Sequence, residues 1–365
     1  MGEVAPARAC AFKVITRVFE RGAYADRALH AEAAGLGPRD RALAMALSYG
    51  TVQRRRTLDY VIAALCSRPL ASLGPGVRDA LRLGVLQIAL MDGIAELWWE
   101  QLGAGEARAL LRTVNLPPES ALRVNTLRAT VPEVLERLDV PASPAPDLDE
   151  ALVLHGPFDA HGSQLFADGA IMPQSRASMV VARESLAQPG QRVLDLCAAP
   201  GGKTTHLAAL IEDRSPEFVA VEVHPGRARA LERTCTRMHA RSVRVRCADG
   251  REPVRAGPFE TVLVDPPCSG LGTLQARPDL RWQARRADLE ALAAKQSQLL
   301  AAGAAAAAPG GILVYAVCTI SLRESREVVR GLLDCSPAFA LEHERQLTPH
   351  RDGTDGFFIA RLRRR

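Results

Sequence analysis

The chain of 365 residues is 47% hydrophobic and 24% charged, which leaves room for two or three ordinary domains and suits a soluble globular protein. No apolar run reaches the roughly 18 residues needed to cross a bilayer. The opening "MGEVAPARACAFKVITRVFERG" lacks the apolar core and cleavage site of a secretory leader, so no membrane partner and a cytoplasmic location are expected. The net charge of +5, carried by arginine far more than lysine, makes a polyanion such as nucleic acid a reasonable partner, although a GC-rich genome also enriches arginine.

Residues 7–92 read as helices. Apolar residues recur at three and four spacing in "ACAFKVITRVF", "RDRALAMALSYGTVQRRRTLDYVIAAL" and "GVRDALRLGVLQIALM", with breaks at "GLGPRD" and "LASLGPG". This bundle carries Arg54, Arg55 and Arg56, either an RNA contact or a solvated helix face. Residues 94–135 give two more helical stretches around a short strand in "SALRVNTL", with Trp98 and Trp99 read as packing residues. The Pro-rich "DVPASPAPDLDE" (139–150) reads as a linker or turn region. The expected domains are therefore 1–93, 94–160 and 161–365.

From about residue 165 short apolar runs alternate with helices. The runs are "RVLDLC" (192–197), "FVAVEV" (218–223), "VRVRCAD" (243–249), "TVLVD" (261–265) and "GILVYAVC" (311–318). Alternating βα units of this kind predict an α/β domain, a doubly wound parallel sheet covered by helices on both faces. The alanine run 304–308 reads as the end of a helix stopped by "PGG", and "GFFIARLRRR" as a final edge strand.

"RVLDLCAAPGGKTTHLA" is a strand, a loop of small residues and a helix, a placement that brings backbone N–H groups close to a ligand in the crevice at the strands' carboxyl ends. The Gly-Lys-Thr ending lacks the leading glycine of a P-loop, and G-x-G-x-x-G is absent. Glu222 ends the second strand, where an acid accepts hydrogen bonds from a ribose diol, and Asp249 ends the third. A nucleoside with an amino-acid tail, S-adenosylmethionine (SAM), fits loop and acids together.

Of the eight cysteines, Cys10, Cys66, Cys197, Cys235, Cys247, Cys268, Cys318 and Cys335, none forms a C-x-x-C pair, so neither a metal site nor a disulfide framework is expected. Two stand out. Asp265 ends the fourth strand in "VLVDPPCSGLGT", which carries Cys268, and Cys318 ends the fifth. These strand tips share the cofactor crevice. Two thiols and a carboxylate beside a methyl donor suit cytosine C5. A thiolate adds to C6 and makes C5 nucleophilic, and an acid at N3, the role open to Asp265 if it holds or shares a proton, stabilises the charge. A second thiolate, Cys268, then removes the C5 proton.

"DLCAAPGGKT", "VDPPCSGLGT" and "YAVCT", with "LRVNTLRAT", "PQSRASMVVA", "RPDLRW" and "DGFFIARLRR", resemble RNA cytosine-C5 methyltransferases of the Sun/RsmB (Fmu) type. Residues 8–92 resemble the NusB-like RNA-binding domain at the front of those enzymes. The resemblance implies an all-α NusB-like bundle, a small α/β linking domain and a Rossmann-like SAM-dependent methyltransferase domain, acting on a cytosine of 16S ribosomal RNA. It makes Cys318 the nucleophile and Cys268 the releasing thiol. It puts Cys197, Ala198, Ala199, Pro200, Gly201, Gly202, Lys203, Glu222, Arg227, Asp249 and Asp265 at the SAM site, and a monomer with no DNA substrate is expected.

The chain departs from the family at Val317, where Thr is usual, at Ser175, where Asp is usual, and at Glu222, where Asp is commoner. A further helical stretch is expected after "LRLGVLQIALMDGI", but the chain passes directly to "AELWWEQLGAGEARALL". Rival readings are an NAD-linked oxidoreductase, an RNA-binding assembly factor on an inactive methyltransferase fold, and a DNA cytosine enzyme. The paired thiols disfavour the first two. The strand-five thiol disfavours the third, because DNA cytosine enzymes usually draw their nucleophile from the Pro-Cys of strand four.

Overall fold

The computed structural model describes residues 4–87, 94–254, 256–277, 280 and 286–365. The chain divides into two compact units, Met1–Glu100 and Gln101–Arg365.

The first unit is helical: α1 (Pro6–Arg21), α2 (Ala25–Glu32), α3 (Pro38–Gln53), α4 (Arg55–Leu65) and α5 (Pro75–Val85). Three of these helices begin with Pro in the first turn, where its missing N–H costs nothing. Ala11, Ile15, Leu47, Leu58, Leu83 and Leu86 form one buried cluster. Arg82 is 2% exposed, and its guanidinium lies between Asp59 (Nε–Oδ1 2.6 Å) and the fully buried Asp79 (3.0 Å). Arg55 lies over the Phe19 ring, while Arg54 and Arg56 are exposed. The further helical stretch was expected after Ile94, and there the chain instead continues directly in α6 (Ile94–Thr113), which begins at Ile94. This helix is interrupted at Gly103, φ 77°. Trp98 is fully buried, but Trp99 is 44% exposed.

The second unit holds two sheets. The smaller is antiparallel in the order β2-β3-β1-β4, made of β1 (Ala121–Val124), β2 (Ala142–Ala145), β3 (Leu148–Leu154) and β4 (Ile171–Pro173). The segment read as a Pro-rich linker is thus a β2–β3 hairpin. Pro144 is tolerated because β2 is an edge strand. Between β1 and β2, α7 (Val131–Arg137) starts on a capping box in which Thr130 N–H donates to Glu133 at 2.7 Å. The short α8 (Gln164–Ala167) precedes β4, and α9 (Arg176–Arg183) follows it. Ser175 caps α9 by accepting the Ser178 N–H, a job an Asp would do equally well.

The larger sheet runs β10-β11-β9-β8-β5-β6-β7. Its strands are β5 (Val193–Leu196), β6 (Phe218–Glu222), β7 (Val243–Cys247), β8 (Phe259–Val264), β9 (Ala307–Val317), β10 (Phe339–Leu347) and β11 (Phe357–Arg364). All five expected strands are present, and β7, β6, β5, β8 and β9 are mutually parallel. The helices between them are α10 (Gly202–Leu210), α11 (Pro225–Arg237), α12 (Arg286–Ala306) and α13 (Arg326–Cys335), with the short α14 (Pro349–Asp352) before β11. Alternate residues of the strands point to opposite faces. Val193, Ala220, Leu263 and Val314 pack with α9, α10 and α11. Leu194, Val221, Val262 and Tyr315 pack with α12 and α13.

Two expectations are corrected. The final strand is not at the edge: β11 lies between β9 and β10, antiparallel to both. The alanine run is not all helix, since α12 stops at Ala306 and Ala307 already pairs with Phe259 in the sheet.

Candidate active site

β5 ends at Leu196, and the chain turns at Cys197 (φ 66°) and Gly201 (φ 106°) before entering α10. A Cβ on Gly201 would come within 2.9 Å of Leu231 and 3.0 Å of Thr234, so glycine is required both by conformation and by the close approach of α11. Thr204 fastens the start of α10 by donating to Asp195 (2.7 Å), whose carboxyl is pushed up to about 7 by burial. Arg227 on α11 donates to Ala199 O at 2.7 Å and clasps the loop from the other side.

These elements wall a cavity of about 370 Å³ at the carboxyl ends of the parallel strands. Cys197, Ala199, Pro200, Lys203, Glu222, Arg227, Asp249, Asp265, Cys268 and Cys318 all line it. Ala198, Gly201 and Gly202 do not. Ala198 is buried with its N–H donating to Val221 O, Gly201 makes the turn and Gly202 opens α10. Arg277, which opens the "RPDLRW" motif, lines the cavity too, as do Arg251 and Lys295, which the sequence reading did not single out. Arg251 donates twice to Asp249 at 3.0 Å and holds that carboxyl down at about 2. Its signal was its position two residues after the acid. Pro278, Asp279, Arg281 and Trp282 of the "RPDLRW" segment lie outside the described residues.

Two loops bring the thiols together. One follows β8 through Asp265, Pro266 and Pro267, and the other follows β9. Gly272 N–H donates to Cys318 O at 3.0 Å, and Gly356 N–H donates to Gly272 O at 2.8 Å. A Cβ on Gly272 would lie 1.9 Å from Gly356 O, so only glycine lets these backbones approach so closely. The Sγ atoms of Cys268 and Cys318 are 3.3 Å apart. Their shared hydrogen bond is the leading influence on both. It holds the Cys318 thiol below its ordinary value, with Lys203 assisting and burial and Asp265 opposing. It holds Cys268 well above, with burial adding to the effect. These influences favour the shared proton on Cys268 and the thiolate on Cys318. Cys197 is different, because burial and the surrounding acids push it up to about 12 and leave it a neutral thiol.

Asp265 has a cationic partner. Lys203 Nζ lies 2.7 Å from its Oδ2. Burial works to lower the Lys203 pKa, but Asp265, with smaller help from Cys318 and Asp195, outweighs it and the net shift is upward. The ammonium also stands 5.0 Å from the Phe357 ring centroid. The role expected of Asp265 needs a proton that it holds or shares, and the Lys203 ammonium at 2.7 Å is a donor placed to share one.

The donor set fits SAM. Glu222 is 3% exposed, and its Oε1 accepts the His224 N–H at 2.9 Å. Its Oε2 meets Arg227 Nε only at 3.5 Å, which leaves acceptor capacity for a diol. Among the described residues no group of His, Cys, Asp and Glu could hold a metal, and no helix is long and apolar enough to cross a membrane.

A family model described as 16S rRNA methyltransferase RsmB/F matches residues 185–363. The NusB family matches residues 5–96, and an RsmF/B-like ferredoxin-like domain matches 94–161. The ribosomal RNA small subunit methyltransferase B of Thermus thermophilus is 35% identical over 89% of this chain and 89% of its own. Putative methyltransferase Rv1407 of Mycobacterium tuberculosis is 33% identical over 98% of this chain and 96% of its own. Among solved structures, PH0851 superposes with a TM-score of 0.69 at 25% identity, each chain 99% covered. NSun6 from Pyrococcus horikoshii, solved with SFG, covers 75% of this chain and 98% of its own with a TM-score of 0.68 and 22% identity, a likeness of fold. With full-length relatives at this level of identity and three successive family matches in the same order as the helical region, the small sheet and the large sheet, the chain belongs to the RsmB/F family of SAM-dependent 16S rRNA methyltransferases.

Proposed function

We propose that this protein methylates C5 of a cytosine in RNA, 16S ribosomal RNA by the names of its relatives, with SAM as methyl donor and through a covalent bond between Cys318 and cytosine C6. The observation that carries this reading is the pair of sulfur atoms 3.3 Å apart at the wall of one cavity with Lys203 and Asp265.

SAM, when bound, supplies an electrophilic methyl group. Glu222 would hold its ribose, the loop from Cys197 to Lys203 its amino-acid tail, and Asp249 its base edge. Cys318, the sulfur that carries the charge, adds to C6. The displaced electron pair moves through C5 and C4 to N3, and N3 takes the proton shared by Lys203 Nζ and Asp265 Oδ2. C5 is now electron-rich and becomes the nucleophile for the methyl group. Cys268 keeps its proton while an anion stands beside it. Once Cys318 is bonded to carbon that charge is gone, so Cys268 can release its proton to water and act as the base. It takes the C5 proton, the C–H electron pair restores the C5–C6 double bond, and Cys318 leaves as thiolate. The proton on N3 returns to the Lys203–Asp265 pair.

A base reaches a crevice at the end of a sheet only after leaving its stack, which favours a loop, bulge or partly assembled rRNA as substrate. We assign RNA docking to residues 1–93, with the exposed Arg54 and Arg56 available to phosphates, a linking role to 94–160, and the chemistry to 161–365. Such binding should weaken steeply with salt. Bisulfite sequencing of rRNA from a strain lacking the gene tests the reading: one cytosine should lose its protection, and an unchanged pattern would overturn it.

A further inference from the structure

Glu324 lies between β9 and α13 and is fully buried, and no lysine, arginine or histidine among the described residues pairs with it. It is held by donors alone. Ser269 N–H donates to Oε1 at 2.8 Å and Gln296 Nε2 to the same oxygen at 3.1 Å. The hydroxyls of Ser269 and Thr319 donate to Oε2 at 2.5 and 3.0 Å. Ser269 directly follows Cys268 and Thr319 directly follows Cys318. Gln296 also donates to the carbonyl of Pro267, the residue before Cys268, at 3.0 Å. The backbone carbonyl of Glu324 accepts the Tyr315 hydroxyl at 2.7 Å, which fixes the carboxylate against β9.

We propose that Glu324 is a positioning residue of the methyl-transfer site: its carboxylate ties the two cysteine-bearing tips together, and its charge keeps the dyad's single proton on Cys268, so that Cys318 is the sulfur that attacks. This rests on the cytosine-C5 reading above and assigns a division of labour within it.

A buried anion without a cation is costly, and neutral side chains could satisfy the same four donors. Hydrogen bonding alone therefore does not explain a carboxylate here. Its charge has a direct consequence for one sulfur. It disfavours a thiolate on Cys268, whereas the nearby ammonium of Lys203 favours one on Cys318. When the dyad loses a proton to water, the one that stays behind remains on Cys268 and is donated to the Cys318 thiolate. The two tips and the proton between them are thus set by one group that touches neither the base nor the methyl donor.

Glu324→Gln separates charge from placement. An amide oxygen at the Oε1 position still accepts from Ser269 N–H and Gln296. Its NH₂ group can donate to the two hydroxyls, which rotate to accept. Alkylation with iodoacetamide across pH, mapped by peptide mass in the full-length protein without RNA or SAM, reads the proton directly. In the wild type, Cys318 should react near neutral pH and Cys268 only at higher pH. In Glu324→Gln the Cys268 profile should move to lower pH, and a move of about one pH unit raises its thiolate fraction about tenfold. Turnover should fall with KM for SAM unchanged. An unaltered alkylation profile in Glu324→Gln overturns the proposal, and so does a wild type that reacts chiefly at Cys268, a measurement that does not depend on the variant folding. Failure of the cytosine-C5 reading would show elsewhere, as the absence of any RNA adduct in Cys268→Ala.

Discussion

The Sγ atoms of Cys268 and Cys318 stand 3.3 Å apart across a fifty-residue separation, one on the tip after β8 and the other on the tip after β9. Each sulfur alters the acidity of the other, so they act as a pair and their substitutions should have unlike results. Cys318→Ala should lower methyl transfer by at least about 10³-fold while SAM still binds, because the attacking group is gone. Cys268→Ala should slow turnover by about 10²–10⁴-fold, the range for loss of a general base, and should accumulate an RNA–protein adduct that survives denaturing electrophoresis. Normal turnover in Cys268→Ala would remove the base from that residue.

Much of this site was legible because its acids and thiols sit at strand ends in contiguous motifs. The parallel strands were legible for a related reason: buried on both faces, they read as unbroken apolar runs. β10 was not, because "FALEHERQL" is an edge strand whose outer positions are charged. β2 was hidden by prolines that only an edge strand accepts. Pairings between side chains far apart in the chain were also missed. The Lys203–Asp265 ion pair spans 62 residues, and the donors that hold Glu324 come from three separate elements. No local pattern in the sequence encodes such meetings.

Lys203 pairs with Asp265 at 2.7 Å and acts on the Cys318 thiol, and Lys203→Met separates its charge from its bulk. Loss of the ammonium removes an influence that lowers the Cys318 pKa and leaves the raising influence of Asp265 in place. The thiolate then forms at higher pH. The pH–rate profile should move to the alkaline side. For a move of about one pH unit the rate at neutral pH should drop about tenfold, before any loss of proton transfer to N3. An unmoved profile would mean that Lys203 does not act on the nucleophile.

His206 on α10 is 1% exposed, and its Nε2 lies 2.6 Å from Glu150 on β3, which also pairs with Arg183. Burial, followed by the charge of Arg123, lowers the His206 pKa from 6.5 to about 4, with Glu150 opposing. The folded state therefore binds fewer protons than the unfolded chain between these values, so stability falls as pH drops below about 6.5. The loss should approach about 3 kcal/mol near pH 4, and above pH 7 it should vanish. Urea unfolding at pH 7 and pH 5 measures it. His206→Gln, which cannot titrate, should flatten the difference, and an equal acid loss in that variant would assign the effect to other groups.

In the helical unit, Arg82 joins Asp59 on α4 to Asp79 on its own helix, with its guanidinium carbon 4.9 Å from the centroid of the Phe19 ring. Asp79 has one other partner among the described residues, the Thr16 hydroxyl at 3.2 Å. Removing Arg82 would therefore strand a fully buried carboxylate, which costs about 3–5 kcal/mol. Arg55 pairs with Asp59 at 3.9 Å from the surface, and Arg55→Ala should cost no more than about 1 kcal/mol. Arg82→Lys should recover only part of the loss, since an ammonium cannot reproduce a guanidinium fork that holds both oxygens of Asp59. Hydrogen exchange of the α1 and α5 amides in the full-length protein follows this unit separately from the catalytic one. Faster exchange there in Arg82→Ala, with SAM binding intact, is the expected result. Exchange like that of Arg55→Ala would show that the buried network contributes no more than a surface pair.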